Sequence, residues 1–147
     1  MSGEFLGTYQ IAVNKGKWIT LPAALKKKFS PDTRQTVIIT LGPKDTIAIF
    51  PLDVWHDKIS RLKTGSEKDI KLLVHLRSFA GGEQKLEANG RVKISDELIK
   101  IMHIDDRVII KGEGNFISIW KPELYEKSRA EMLQEHRQLF DSLDYQK

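Results

Sequence analysis

An α+β fold built from one unit used twice is what this sequence predicts, on three observations. Residues 47–55 read Ile-Ala-Ile-Phe-Pro-Leu-Asp-Val-Trp and residues 117–125 read Ile-Ser-Ile-Trp-Lys-Pro-Glu-Leu-Tyr, the same succession of apolar, acidic and aromatic positions 70 residues later. Each copy follows a Gly-centred basic turn that runs into a strand, at 14–22 in the first and 87–95 in the second. Finally, 147 residues make one ordinary domain or two small ones. Half-units of roughly 70 residues are marginal alone and gain stability by sharing a core or by oligomerising. A duplicated unit with a basic turn points to a surface that binds something repetitive and anionic, which favours DNA over a catalytic pocket.

The elements follow from the local pattern. Over 5–13, Phe5, Gly7, Tyr9, Ile11 and Val13 share one face and Leu6, Thr8, Gln10 and Ala12 the other, so the period of two predicts a strand. A turn at 14–17 follows, in which Gly16 is expected to take positive φ, and the strand resumes through Trp18-Ile19-Thr20-Leu21. Pro22 opens a short helix to about Phe29, because its fixed φ and missing N–H suit that position. After a loop at 30–35, strands at 36–41 and 46–50 flank Gly42-Pro43-Lys44-Asp45 as a hairpin. Asp53 is expected to N-cap a helix carrying Ile59 and Leu62, with Trp55 alongside. Ser66, with Asp69 three residues on, resembles a capping box. Its helix presents Ile70, Leu73, Val74 and Leu76 until Gly81-Gly82 ends it.

The second copy repeats the plan. Strands near 83–88 and 91–94 precede a helix from Ser95 to about Met102, then hairpin strands near 107–111 and 116–120 around Gly112-Glu113-Gly114-Asn115. A last helix runs from Pro122 to about Leu143. With six acids and four bases over 122–147 its exposed face repels DNA. Its apolar residues Leu124, Met132, Leu133, Phe140 and Leu143 are expected to pack on the body or on a neighbouring subunit.

The net charge of +4 is unevenly spread. Residues 1–75 carry 12 lysines and arginines against 7 acids and residues 76–147 carry 12 against 13, so the first half holds the positive field, concentrated at Lys15, Lys17 and Lys26-Lys27-Lys28. Such a field can attract a polyanion, although on charge alone a solvated lysine-rich surface ranks first. The absence of cysteine excludes disulfides and thiolate metal sites. No apolar run reaches a membrane span of about 18 residues and no signal pattern opens the chain, so a soluble cytoplasmic protein without membrane attachment is expected. His56, His75, His103 and His136 are dispersed without metal-ligand spacing, and no nucleophile elbow, phosphate loop or dinucleotide fingerprint occurs. No enzyme, metal or cofactor is indicated.

Laid out this way, the chain resembles the MraZ family, whose members are built from two SpoVT/AbrB-type domains. Phe5-Leu6-Gly7-Thr8-Tyr9 looks like the opening F-x-G segment, Asn14 to Pro22 follows the D-x-K-G-R-x-x-x-P register, and Leu21-Pro22-Ala23-Ala24-Leu25 matches L-P-x-x-[FL]. Glu87-Ala88-Asn89-Gly90-Arg91-Val92-Lys93-Ile94 looks like the matching D-x-x-G-R-x-x-I segment. Each motif is short; two copies in order over residues 5–125 make the signal specific. The resemblance implies duplicated AbrB-like swapped-hairpin β-barrel units with short helices, related by a pseudo-twofold axis. The units would span 5–60 and 81–125, with a helical connector at 61–80 and a C-terminal helix at 126–147. It further implies a nucleoid-associated regulator whose ring-like homo-oligomers bind double-stranded DNA at promoter repeats of the division and cell-wall gene cluster.

The family's DNA contacts lie in these two turns, which on this chain means Lys15, Lys17, Asn89, Arg91 and Lys93. The first turn departs from the pattern: Lys and Gly stand one place early and Trp18 occupies the arginine position. Lysine suits phosphate, whereas arginine offers a fork that pairs with guanine O6 and N7, so the change weighs on specificity more than on affinity. Arg91 has two readings, base contact or an ion pair with Glu87. Trp18 is a core or interface aromatic or a stacking platform. An AbrB-like interaction scaffold or antitoxin-type partner with reduced DNA binding is the alternative function.

Overall fold

Alternation of Val37 and Ile39 with Ile38 and Thr40, and of Ile47 and Ile49 with Ala48 and Phe50, produces a hairpin with apolar side chains on both faces, and the molecule is organised around it. In the computed structural model, which describes residues 1–142, the first copy contains strands β1 (Thr8–Ala12), β2 (Trp18–Thr20), β3 (Thr36–Gly42) and β4 (Thr46–Pro51). Its helices are α1 (Ala23–Lys26) and α2 (Leu52–Lys63), with α3 (Glu67–Ser78) leading to the second copy. That copy contains β5 (Gln84–Lys85), β6 (Arg91–Lys93), α4 (Asp96–Met102), β7 (Arg107–Gly112), β8 (Ile117–Trp120) and α5 (Pro122–Asp141).

All strand pairs are antiparallel, and the two copies exchange strands. The larger sheet runs β1-β7-β8-β4-β3-β5 and the smaller is the ribbon β2-β6. β1 of the first copy lies on β7 of the second with Tyr9 opposite Ile110, while β5 of the second lies on β3 of the first. The hairpins meet at β4-β8, where Ile47 faces Ile119. Replacing every strand by its counterpart in the other copy leaves this order unchanged, read backwards.

One face of the sheet closes over a core shared by both copies, with Phe5, Ile19, Leu25, Val37, Ile47, Ile49, Val92, Leu98, Ile110 and Ile119 buried. Burying each such side chain stabilises the fold by roughly 1.5–3 kcal/mol. On the other face, α2 covers β4 through Val54 and Trp55 against Ala48 and Phe50. Tyr125 of α5 covers Ile109 and Trp120 in the equivalent place, edge-on to the indole at 5.9 Å. α3 packs on α2 through Leu73 and Leu76 against Ile59 and Leu62. Its N-terminus is fixed by the expected box: Ser66 Oγ accepts from Asp69 N–H and Asp69 Oδ2 from Ser66 N–H.

Several local expectations are corrected. Gly7 has φ +99°, so β1 starts only at Thr8 and Phe5 joins the sheet through a bridge to Gly114. α2 begins at Leu52 with Pro51 as its N-cap, and Asp53 instead accepts a hydrogen bond from Ser2 N–H at 2.6 Å. α1 ends at Lys26, three residues short of Phe29. Ile70 and Val74, expected on the packed side of α3, are exposed, because Leu73 and Leu76 already fill the contact with α2. Met132 and Leu133 of α5 are also exposed, and Leu143 lies outside the described residues.

Candidate nucleic-acid interface

The two basic turns converge on the β2-β6 ribbon. Three residues per strand give it one buried face and one open one: Ile19 and Val92 point into the core, whereas Trp18, Thr20, Arg91 and Lys93 line the outer face. Trp18 stands opposite Lys93 and Thr20 opposite Arg91. Ile94 N–H donates to Lys17 O at 2.9 Å and Leu21 N–H to Gly90 O at 3.0 Å, which ties each turn to the other copy's strand.

The turns are built alike. Lys17 N–H donates to Asn14 O and Gly90 N–H to Glu87 O, and the next bond closes each loop, from Asn14 N–H to Trp18 O and from Glu87 N–H to Arg91 O. A side-chain amide also caps each strand entrance: Asn14 Oδ1 accepts from Trp18 N–H and Asn89 Oδ1 from Arg91 N–H. The residue before each strand has positive φ, +67° at Lys17 and +86° at Gly90. The positive φ therefore falls on Lys17 rather than on Gly16, one residue later than expected. Gly16 instead makes room for the indole, since a Cβ there would lie 3.0 Å from Trp18 Cδ1.

Of the five residues expected to contact DNA, Arg91 and Lys93 share the outer face of the ribbon, Lys15 and Lys17 mark one end and Asn89 the other. Lys15 and Lys17 make no side-chain hydrogen bond or ion pair among the described residues, and Lys15 is exposed. Arg91 is held: its Nε and Nη2 donate to Glu87 Oε1 at 2.9 and 2.7 Å, and its guanidinium lies 4.8 Å from the Trp18 ring centroid. Asn89 spends its side-chain oxygen on the turn.

Sequence reasoning missed two supports. Gln84 imitates a strand neighbour, its amide accepting from Lys93 N–H at 2.7 Å and donating to Lys93 O at 3.1 Å, a pairing that no motif announces. Lys26, read as part of a solvated run, donates to Ala88 O at 2.7 Å and so braces the second turn. The earlier signal for it is position alone, at the end of the helix that follows Pro22.

A two-stranded ribbon with outward cations has the width that the major groove admits, with lysines suited to phosphates and an arginine to a base edge. Among the described residues no group of three or more His, Asp or Glu side chains could hold a metal ion, and no helix is long and apolar enough to cross a membrane.

No family model matches the chain. It is 30% identical over 132 residues to a protein of Mycoplasma capricolum subsp. capricolum named transcriptional regulator MraZ, covering 88% of this chain and 97% of the relative. Relatives of the same name from Nocardia farcinica and Cytophaga hutchinsonii are 26% and 27% identical, each over 93% of this chain and over 94% and 92% of their own lengths.

Proposed function

The chain belongs to the MraZ family, and on that premise we propose that it is a sequence-specific DNA-binding transcriptional regulator of the cytoplasm and nucleoid that engages repeated promoter elements of the division and cell-wall gene cluster. The observation that carries this is the outer face of the β2-β6 ribbon, where the first copy contributes a strand whose turn bears Lys15 and Lys17 and the second a strand bearing Arg91 and Lys93. We read 5–60 and 81–125 as AbrB-like swapped-hairpin units, 61–80 as their connector and 126–147 as a C-terminal helix, with the exchange of β1 and β5 between copies in support. The role is non-catalytic. Titrating the protein against DNA upstream of its own coding region and against a shuffled duplex at several salt concentrations tests the function: a regulator prefers its own sequence, and its affinity falls as salt rises.

The first turn yields a prediction that separates charge from fold. Lys17 holds a left-handed conformation that glycine occupies in the second turn, so Lys17→Gly relieves strain, and Lys15→Ala alters an exposed tip. The double variant is expected to melt no lower than the wild type while binding every duplex more weakly and with a shallower salt slope. Unchanged binding and slope in the folded variant would remove the first turn from the interface.

Ring-like homo-oligomers are part of the proposal, because small units that each contact DNA weakly gain avidity when several engage successive repeats. In support, Met132, Leu133 and Leu139 of α5 are 46%, 49% and 55% exposed and Tyr125 is the residue that the helix buries. Light scattering is expected to give a mass above that of a dimer; a monomer throughout the micromolar range would exclude the ring. One observation favours a second reading, the AbrB-like protein-interaction scaffold or antitoxin-type partner: tryptophan stands where the first turn should carry its arginine. That reading expects neither promoter preference nor salt dependence in the titration above.

A further inference from the structure

We propose that the two copies have divided the work of base reading, the first supplying Trp18 as a platform and the second supplying Arg91 as the reader, with Glu87 as its buttress. The idea rests on the DNA-binding reading above and names the parts of that same ribbon that confer sequence discrimination. Trp18 and Arg91 occupy equivalent places in the two turns, the first position after the residue with positive φ. Because their strands pair antiparallel with Trp18 opposite Lys93 and Thr20 opposite Arg91, the two side chains meet on the diagonal of the outer face. There the guanidinium carbon lies 4.8 Å from the indole centroid. Asn14, through its bond to Trp18 N–H, and Gly16, by leaving space at the ring, position the platform from below.

The hydrogen bonds of Arg91 define what remains for a ligand. Guanidinium carries five N–H donors in one plane. Glu87 Oε1 takes the side edge, one donor from Nε and one from Nη2. The guanidinium carbon lies over the Trp18 ring, a contact that takes no hydrogen-bond acceptor. Among the described residues the end edge, with one N–H from each terminal nitrogen, keeps its Nη1 without a hydrogen-bond partner, and that edge can make the paired contact with guanine O6 and N7. Glu87 and Trp18 therefore orient the fork without consuming it, and the entropy of fixing a long side chain is met before DNA arrives. In this arrangement Glu87 is a positioning residue rather than a competitor of the phosphates, and Trp18 does the same through stacking.

Three variants, each measured for the duplex upstream of the coding region and for a shuffled duplex at one salt concentration, test the assignment. Trp18→Leu keeps an apolar side chain but no π face, and is expected to reduce the ratio of the two affinities about threefold to tenfold. Trp18→Phe, which keeps a ring, is expected to restore most of the ratio. Glu87→Gln removes an acid near the backbone of DNA, so affinity for the shuffled duplex is expected to rise while the ratio falls. If Glu87 merely held Arg91 away from DNA, Glu87→Gln would raise the ratio or leave it unchanged, which overturns the buttress. A wild type that discriminates, with a ratio unaltered in folded Trp18→Leu, overturns the platform alone. A wild type that binds both duplexes equally overturns the proposed function and the reader with it.

Discussion

Replacing Gly112 with alanine is expected to destabilise the protein by about 3 kcal/mol, although its backbone dihedrals are open to any residue. Gly112 ends β7 where the N-terminal segment crosses it, and its N–H donates to Gly7 O at 2.9 Å. A Cβ built there stands 2.5 Å from Phe5 O and Leu6 N, and closer still to the Phe5 carbonyl carbon. These are backbone atoms, so no rotamer change relieves the overlap. The segment must lift, breaking the paired bonds between Phe5 and Gly114 and drawing Phe5 away from Phe29, against which it packs edge-on at 5.5 Å. Gly81, around which a new methyl meets nothing within 4 Å, is the control. Denaturant unfolding of Gly112→Ala and Gly81→Ala checks the expectation, and equal midpoints would show that the crossing yields at little cost.

That crossing marks a limit of what local pattern can reveal. The turn composition of Gly42-Pro43-Lys44-Asp45 between two apolar runs named the first hairpin, and the repeat carried the same reading to β7 and β8. Capping at Ser66 was legible because a side-chain oxygen and its backbone donor lie three residues apart. Partnership was a different matter. A period of two shows which side of β1 is apolar but not that β7 will receive it, since any strand edge with a matching face satisfies the pattern. Asp53 was read as a cap for the same reason: its partner, Ser2 N–H, is 51 residues away.

The candidate site divides along the same line. Its cationic residues were visible from the repeat, and so was the presence of Trp18 at the arginine position. The stacking of Arg91 on Trp18 depends on the register between two strands more than 70 residues apart, information that neither turn contains. The positive φ at Lys17 was missed because glycine, the usual occupant, stands one place earlier. In the second copy Gly90 occupies the demanding position, buried and 3.1 Å from Leu21 O at a built Cβ. Comparing the turns by hydrogen bonds rather than by residue type recovers their equivalence.

Arg91→Lys is expected to lower discrimination between the protein's own upstream DNA and a shuffled duplex by about 1–3 kcal/mol while leaving non-specific binding largely intact. The substitution keeps the charge that phosphates see. It removes the planar fork, and an ammonium cannot bind Glu87 along one edge and a guanine along another. Stability should change little, because the Arg91–Glu87 pair is solvent-exposed, with side-chain exposures of 37% and 44%, and such pairs contribute only about 0–1 kcal/mol. A loss of discrimination therefore reports the lost reading geometry rather than a damaged ribbon, provided the variant melts with the wild type. If Arg91 serves only to pair with Glu87, the affinity ratio at fixed salt will be the same in both proteins. Sequence preference must then arise elsewhere, and the five cations and amides of the two turns would be left with phosphate contact alone.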